Sequence, residues 1–125
     1  MSEQPCAFCE IIAGRAPATV LADGISSIAI EPIGPVVSGH FLVIPRAHTT
    51  DAVDEPHIAG ATMQDAAFWT GLFARRDDRY RSVNFITSVG RPATQSVFHL
   101  HIHVVPRADN DGLALPWYSG KRRKP

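Results

Sequence analysis

The stretch F-H-L-H-I-H-V-V, residues 98–105, constrains the fold of this chain more than any other. Side chains alternate between the two faces of a β-strand, so a strand over 97–105 carries His99, His101 and His103 on one face. The opposite face then carries the apolar side chains Phe98, Leu100, Ile102 and Val104. We therefore predict that the apolar face belongs to the core and that the three imidazoles face a cleft.

Three imidazoles on one face admit two functional interpretations. A polar stripe without function is disfavoured, because strands rarely place pH-sensitive rings where threonine or lysine would serve. In the first interpretation, two or three rings bind a catalytic metal ion, since His-x-His presents both side chains to one ion. In the second, one ring is a nucleophile and its neighbour steadies an anion, as nucleotidyl transfer through a phosphorus–nitrogen intermediate requires. The strand alone does not decide between them.

The residues around the strand favour phosphate chemistry. Gln95 and Ser96 directly precede it and supply hydrogen-bond donors. The segment 88–96 is rich in small residues, which lets a polyanion approach the backbone. Arg107 adds a cation just beyond the strand. No carboxylate neighbours the histidines in sequence, which counts against a site that binds only a metal, although distant acidic residues could fold in.

Composition limits the classes of partner. The chain has 125 residues, of which 45% are hydrophobic, so we expect one domain over 1–125. Twelve basic residues cancel twelve acidic ones, so a nucleic-acid partner is not expected. The one basic run, 121–124, is interpreted as a solvated tail. No apolar run reaches the about 18 residues of a membrane span and residues 1–6 lack signal-peptide features, so we expect no membrane partner and a cytoplasmic location.

The remaining sequence predicts an α+β domain, a largely antiparallel sheet of about five strands with one main helix and a short N-terminal helix. The predicted elements are a helix over 6–14, a hairpin over 19–30 turning at Asp23-Gly24, a buried strand over 40–45, a helix over 54–75, a strand over 82–87 and the strand over 97–105. Asp54 is the expected N-cap of the long helix. Its expected apolar stripe is Ile58, Met63, Ala66, Ala67 and Leu72. Residues 106–125 are expected to be irregular.

The two cysteines, Cys6 and Cys9, form a C-x-x-C motif. A structural disulfide is not expected in a reducing compartment, so the spacing indicates redox or metal chemistry. The redox interpretation needs a thioredoxin-like βαβ context, which the first residues of this chain lack.

Three blocks spread over nearly the whole chain resemble the histidine triad (HIT) family of nucleotide hydrolases and transferases. H-L-H-I-H-V-V at 99–105 meets the family signature in full, G-H-F-L-V-I-P-R-A-H at 39–48 lies upstream at the expected distance, and C-A-F-C-E-I-I-A-G-R-A-P-A at 6–18 resembles the family's opening. The resemblance implies a HIT-like α+β fold, homodimers formed by joining sheets, and hydrolysis at the α-phosphate of a purine nucleotide.

The resemblance also implies residue roles. His101 would attack the α-phosphorus of a nucleotide phosphoramidate, ester or anhydride and become nucleotidyl-histidine, which water hydrolyses. A backbone carbonyl on the same strand would accept the other ring N–H of the nucleophile. His103 would hold a phosphate oxygen, and Gln95 and Ser96 would contact the phosphate and the leaving-group side.

A structural zinc ion is implied as well. Cys6 and Cys9 with His48 and His99 resemble the closed Cys₂His₂ site of one branch of the family. His99 would then be structural, and only the other two triad histidines would be free for chemistry.

By resemblance, the base lies against four apolar side chains that would serve equally well as ordinary core: Phe8, Ile11, Ile30 and Ile33. Trp117 is expected to cap a neighbouring subunit's site. His40 is either a hydrogen-bonded core histidine or part of the site, and His57 is most simply a surface residue.

Three positions depart from the family's pattern. Many members carry, where this chain has Pro32, an aspartate that binds the ribose hydroxyls. Glu31 would replace it only if a bulge re-aimed its side chain. In the phosphate loop, Ser88 replaces the usual asparagine and Thr94 the usual glycine. We expect altered nucleotide selectivity, with Ser88 still able to donate a hydrogen bond, and no loss of chemistry.

Two rival functions stay open at this point. One is a catalytically weak nucleotide-binding or interaction module on the same fold, which would bind AMP without turnover. The other is a metal-dependent hydrolase with His101 and His103 as ligands, which would lose activity on chelation while remaining folded.

Overall fold

A five-stranded antiparallel sheet forms the centre of the fold in the computed structural model, which describes residues 6–121. The strands are β1 (Val20–Asp23), β2 (Ser27–Ile30), β3 (Phe41–Pro45), β4 (Val83–Ile86) and β5 (Ile102–Pro106), in the spatial order β1-β2-β3-β5-β4. The helices are α1 (Ala7–Ile12) and α2 (Pro56–Ala74), with short 3-10 helices over Asp78–Arg81 and Arg91–Ala93. The predicted α+β class is confirmed, and every strand pair is antiparallel.

Strand β3 is buried on both faces, as its continuous apolar run predicts. Phe41 and Val43 pack in the core cluster that includes Ala66 of α2. Leu42 and Ile44 point to the other face and pack with Phe8 of α1. The sheet therefore carries the long helix on one face and the short helix on the other.

The predicted N-cap of α2 is wrong. The helix begins at Pro56 with Glu55 as N-cap, one residue later than expected. Asp54 does not cap the helix. Its carboxylate instead accepts hydrogen bonds from the Thr49 hydroxyl (3.2 Å) and the Thr50 backbone N–H (3.1 Å). Its side chain therefore closes the turn before the helix.

The buried face of α2 also differs from the predicted stripe. Of the predicted residues, Met63 and Ala66 pack on the core, whereas Ala67 and Leu72 are exposed. Thr62 and Thr70 are buried in their place. Their hydroxyls donate to the carbonyls of the preceding turn, at 2.8 and 2.7 Å, so the threonines enter the core with their polar atoms satisfied.

The histidine-bearing strand is shorter than predicted, since β5 begins at Ile102 and residues 98–101 lie outside any strand. The ladder ends there because the N–H of Leu100 donates to the Thr49 carbonyl (2.7 Å). Consequently only His103 of the three histidines lies within the strand. Phe98, expected in the core, is 40% exposed and lies beside the Arg91 guanidinium.

Residues 107–121 follow β5 without a helix or ladder strand and contain a single bridge between Leu115 and Tyr118. Of the predicted basic tail, 121–124, only Lys121 lies within the described residues. Over 6–121, neither helix is apolar enough over sufficient length to cross a bilayer.

Candidate active site and metal centre

Four sulfur and nitrogen donors from separate parts of the chain meet beside α1. Cys6 is the N-cap of that helix and Cys9 lies in its first turn, while His48 follows β3 and His99 precedes β5. Their candidate ligand atoms all lie within 4.8 Å of one another. We call these four residues the metal cluster.

The separations within the metal cluster fit a tetrahedral zinc ion. Zn–S bonds of about 2.3 Å and Zn–N bonds of about 2.0 Å give S···N edges of about 3.6 Å and N···N edges of about 3.3 Å. Here Cys6 Sγ and Cys9 Sγ lie 3.4 and 3.5 Å from His99 Nδ1, and Cys9 Sγ lies 3.3 Å from His48 Nδ1. The two Nδ1 atoms are 3.2 Å apart. The donor set is that of closed structural sites.

His99 is prepared for metal binding by its other ring nitrogen. Its Nε2–H donates to the carbonyl of Pro45 at 2.8 Å, which leaves the Nδ1 lone pair facing the cluster. Burial lowers the pKa of His99, and this keeps the ring neutral. Burial and the adjacent Cys6 raise the pKa of Cys9, so a cation beside the sulfur would be needed to stabilise a thiolate there.

His101 has the opposite tautomer. Its Nδ1 lies 2.8 Å from the carbonyl oxygen of His99, and a carbonyl can only accept. In the neutral ring, Nδ1 therefore carries the hydrogen and Nε2 has the free lone pair. The ring lines a cavity, with the edge of Phe8 at a centroid distance of 5.0 Å. A neutral imidazole with a free Nε2 has the state that a nucleophile requires.

His103 is set by His40, whose role the sequence left open. The backbone N–H of Val36 donates to His40 Nδ1 at 3.1 Å, so the ring hydrogen of neutral His40 is on Nε2. That nitrogen lies 3.0 Å from His103 Nδ1 and donates to it. The hydrogen of His103 is therefore on Nε2. We call Val36, His40 and His103 the histidine relay.

Burial keeps the histidine relay uncharged. It lowers the pKa of His40. It also lowers the pKa of His103 to about 4, with the neighbouring His101 and His40 adding to the effect. At neutral pH, His103 is thus a neutral ring whose Nε2–H serves as a hydrogen-bond donor.

The backbone conformation of Gly39 places His40 beside His103. Its φ of 90° lies in the region that favours glycine, and a Cβ there would lie 2.9 Å from the Tyr80 hydroxyl. That hydroxyl donates to the Gly39 carbonyl at 2.7 Å. The close packing fixes the backbone immediately before His40.

A cavity of about 470 Å³ brings together most of the predicted nucleotide site. We call it the histidine cavity, because His101 and His103 line it. The other predicted residues that line it are Phe8, Ile11, Ile30, Ile33 and Ser96. Its size lies within the range of ordinary small-molecule sites.

The departure at the ribose position, Pro32, and its neighbour Glu31 also lie on the histidine cavity. Glu31 and Pro32 both line it, and Glu31 is exposed. The bulge of this hairpin lies between Val20 and Ala22 in β1, the strand opposite, and not at Glu31 itself. Pro32 itself offers no side-chain acceptor.

Two predicted phosphate residues lie outside the histidine cavity. Ser88 lines a separate cavity that is shared with His103. The buried amide of Gln95 accepts from the Gly90 N–H (2.8 Å) and donates to the carbonyls of Thr50 (2.8 Å) and Val97 (3.1 Å). Gln95 therefore holds the segment 88–96 in shape, a role that no sequence signal indicated, and its contact with a phosphate stays a prediction.

The structure also places Thr94, His57 and Trp117, three further residues considered in the sequence analysis. Thr94 takes φ of 78°, a left-handed conformation that is strained for a β-branched residue and that explains the glycine usual there. His57 is exposed, as predicted. Trp117 is 71% exposed, and its contact with a neighbouring subunit stays a prediction.

Comparisons with known proteins agree with this geometry. A family model described as "HIT domain" matches residues 13–110. The chain is 30% identical over 122 residues to "Adenylylsulfatase HINT3" of Arabidopsis thaliana, covering 98% of this chain and 60% of that protein. It is also 30% identical over 115 residues to "Adenosine 5'-monophosphoramidase hnt1" of Schizosaccharomyces pombe, covering 91% and 84%.

One solved structure that is similar to this chain contains zinc. The crystal structure of a zinc-bound histidine triad family protein from Mycobacterium smegmatis has a TM-score of 0.77 to this chain at 37% identity. The match covers 87% of this chain and 79% of that one.

Proposed function

Since the chain belongs to the HIT domain family, we propose that it is a hydrolase that cleaves a phosphoramidate, ester or anhydride bond at the α-phosphate of a purine nucleotide. The observation that carries the proposal is the pairing of two tautomers. His101 presents a free Nε2 lone pair, and His103 presents an Nε2–H beside it, with ring centroids 5.2 Å apart. A nucleophile next to a neutral donor suits attack on a phosphate that already carries negative charge.

The reaction divides into two displacements. His101 Nε2 forms a bond to the α-phosphorus while the bond to the leaving group breaks, and the leaving atom takes its electron pair and a proton from solvent. Water then attacks phosphorus and releases a proton to solvent, while the P–N bond to His101 breaks and its electron pair returns to Nε2 of the free imidazole. Hydrolysis of one phosphoramidate consumes one water and yields a nucleoside monophosphate and an amine.

Other groups position the substrate. In this proposal the Nε2–H of His103 donates to a phosphate oxygen, and the hydroxyls of Ser96 and Ser88, each of which lines a cavity together with His103, serve as further donors. The base lies in the histidine cavity against apolar side chains that include Phe8 and Ile30. The related phosphoramidase of Schizosaccharomyces pombe supports a phosphoramidate as the substrate class.

Zinc has a structural part in this proposal. Cys6, Cys9, His48 and His99 would hold it, and it would supply a cross-link between the first helix, the end of β3 and the segment before β5. The zinc-bound relative from Mycobacterium smegmatis supports this assignment. The same proposal includes a homodimer in the cytoplasm, in which Trp117 caps the partner's site.

The experiment is hydrolysis of adenosine 5'-phosphoramidate by the wild type and by His101→Ala, with zinc measured on both. We expect the variant to lose at least about 10³-fold in kcat, because the covalent route is removed. Zinc content should be unchanged, since His101 is outside the metal cluster. His57→Ala, which removes an exposed histidine, is the matched control and should retain full turnover.

Three outcomes would contradict this proposal. A folded, zinc-loaded wild type that binds AMP without hydrolysing any phosphoramidate would indicate a binding module. Loss of metal from His101→Ala would indicate a catalytic metal at the histidines. A His101→Ala variant with wild-type turnover would exclude the covalent route.

A further inference from the structure

Every cysteine of this chain belongs to the metal cluster. The sequence has two, Cys6 and Cys9, and both contribute their sulfur to the cluster. Neither forms a disulfide, and each is half-buried. Of the two histidines of the cluster, His99 is buried and His48 is exposed. The cluster is therefore open to solvent on the side of His48, whose Nδ1 lies 3.3 Å from Cys9 Sγ.

The two cysteines are placed so that their sulfurs can join. Cys6 is the N-cap of α1, and the backbone N–H of Cys9 in the first turn lies 3.4 Å from Cys6 Sγ. Side chains three residues apart on a helix have Cβ atoms about 5–6 Å apart, and a disulfide requires about 3.5–4.5 Å. Cys6 lies outside the helix, with φ of −71° and ψ of 119°. Its side chain can therefore move toward Cys9 without disturbing the residues within the helix.

The state of the sulfurs in the metal cluster favours their oxidation. A cysteine that ligates zinc does so as a thiolate. Thiolate character and exposure to solvent determine how readily a cysteine reacts with a peroxide. Cys9, which lies beside the exposed His48, is therefore expected to react first.

We propose that Cys6 and Cys9 are an oxidation site, at which a peroxide forms a disulfide, releases zinc and so disturbs the proposed reaction centre. The Cys9 thiolate attacks a peroxide oxygen, the O–O bond breaks, and Cys9 becomes a sulfenic acid. The Cys6 thiolate then attacks that sulfur, so that the S–O bond breaks and the S–S bond forms. The two sulfurs lose two electrons, and hydrogen peroxide takes these with two protons from solvent to give two waters.

The disulfide removes half of the ligands of the metal cluster. Its sulfurs no longer carry thiolate charge, so the two imidazoles of His48 and His99 alone remain. Structural zinc takes four ligands, so the cation is released. A thiol reductant and added zinc reverse the change, and a transient disulfide of this kind is compatible with a reducing compartment. This differs from thioredoxin-type exchange, because the sulfurs act on their own metal site and not on a second protein.

Two contacts connect the metal cluster to the proposed nucleophile. The His99 carbonyl accepts from His101 Nδ1 at 2.8 Å. Phe8, which lies between the two cysteines in sequence, packs edge-on against both rings, with centroid distances of 5.9 Å to His99 and 5.0 Å to His101. Phe8 also lines the histidine cavity. Movement of the cysteines should therefore change both the wall of that cavity and the orientation of His101.

The test treats intact, zinc-loaded wild type with hydrogen peroxide. We expect a mass decrease of about 2 Da, with about one zinc ion released to a chromogenic chelator per disulfide formed. Turnover of adenosine 5'-phosphoramidate should fall by about tenfold or more, because a small misplacement of a reacting group has an effect of at least this size. Dithiothreitol with added zinc should restore all three. Only the turnover measurement rests on the proposed function.

Two variants locate the effect in the cysteine pair. Cys6→Asp keeps a zinc ligand at this position but cannot form the disulfide, so it should release less than about a third of its zinc under conditions that empty the wild type. Met63→Leu removes the other oxidisable sulfur of the described residues, is the matched control and should respond like the wild type. Because Cys6→Asp can lower the affinity for zinc, the measurements on the wild type decide the inference on their own.

The results separate this inference from the proposed function. Retention of zinc and of both thiols at a peroxide concentration that oxidises a C-x-x-C peptide would overturn the oxidation site, as would release of zinc without a disulfide. A disulfide and loss of zinc with unchanged turnover would overturn the connection to the reaction centre. Reduced, zinc-loaded wild type that hydrolyses no phosphoramidate would instead overturn the proposed hydrolase, while the mass and the released zinc still decide whether the cysteines form the oxidation site.

Discussion

Two neighbouring histidines of this chain, His99 and His101, are bonded in opposite ways. The ring of His99 donates from Nε2 to Pro45 and directs Nδ1 to the metal cluster. The ring of His101 donates from Nδ1 to the His99 carbonyl and directs Nε2 to the histidine cavity. The hydrogen bond on the second nitrogen therefore decides whether each imidazole is suited to ligate or to attack.

The two regions are also joined through one residue. The side chain of His99 belongs to the metal cluster, and its backbone carbonyl holds the proposed nucleophile. The backbone at His99 thus links the metal cluster directly to the ring orientation of His101.

Loss of the metal cluster should have the largest effect. We expect Cys9→Ala to abolish zinc binding and to lower Tm by about 10 °C or more, because a structural metal contributes directly to folding free energy. Metal analysis and thermal unfolding measure both. His57→Ala should retain zinc and Tm. Full zinc content in Cys9→Ala would remove the basis for the cluster.

Removal of His40 should affect the other region alone. We expect His40→Ala to lower kcat by about 10- to 100-fold with zinc retained, because His103 loses the donor that sets its tautomer. His40→Gln, whose amide can still donate, should recover part of the rate. Equal kcat values for His40→Ala and wild type would show that the histidine relay does not support the reaction.

The parts of this site that could be predicted from sequence are those set by local pattern. The apolar run of β3 predicted the central strand, and the alternating histidines and the C-x-x-C motif, together with the family resemblance, predicted which residues meet in the metal cluster and which histidines line the histidine cavity. The start of β5, the position of Phe98 and the orientation of Gln95 could not be predicted, because each depends on a hydrogen bond or contact with a distant residue. Leu100 with Thr49 is one such pair, and Gln95 with Thr50 is another.

Acid should have a smaller effect on stability, and it acts on the histidine relay. Burial lowers the pKa of His103 to about 4, whereas an unfolded histidine titrates near about 6.5. Between these values the unfolded chain binds more protons, so the stability from neutral His103 is complete above about pH 6.5 and declines as the pH falls toward about 4.

The measurement is Tm between pH 7.5 and 5 for zinc-loaded wild type and His103→Gln. We expect the variant to lose about 2–4 °C less than the wild type over this interval, since the proton uptake of one histidine is removed. Acid also weakens zinc binding, but the intact metal cluster of both proteins makes that contribution equal. Identical pH dependence in the two proteins would contradict the low pKa of His103.

The smallest expected effect concerns recognition of the ribose. Pro32 belongs neither to the metal cluster nor to the histidine relay, so it should affect only the selectivity between ribose and deoxyribose. We expect adenosine and 2'-deoxyadenosine phosphoramidates to be hydrolysed with kcat/KM values within about threefold, because Pro32 cannot accept a hydroxyl hydrogen. Pro32→Asp should raise the preference for ribose by about tenfold, and Glu31→Gln should leave it unchanged. A strong ribose preference in the wild type that Glu31→Gln abolishes would contradict this and assign the ribose hydroxyls to the carboxylate of Glu31, which also lines the histidine cavity.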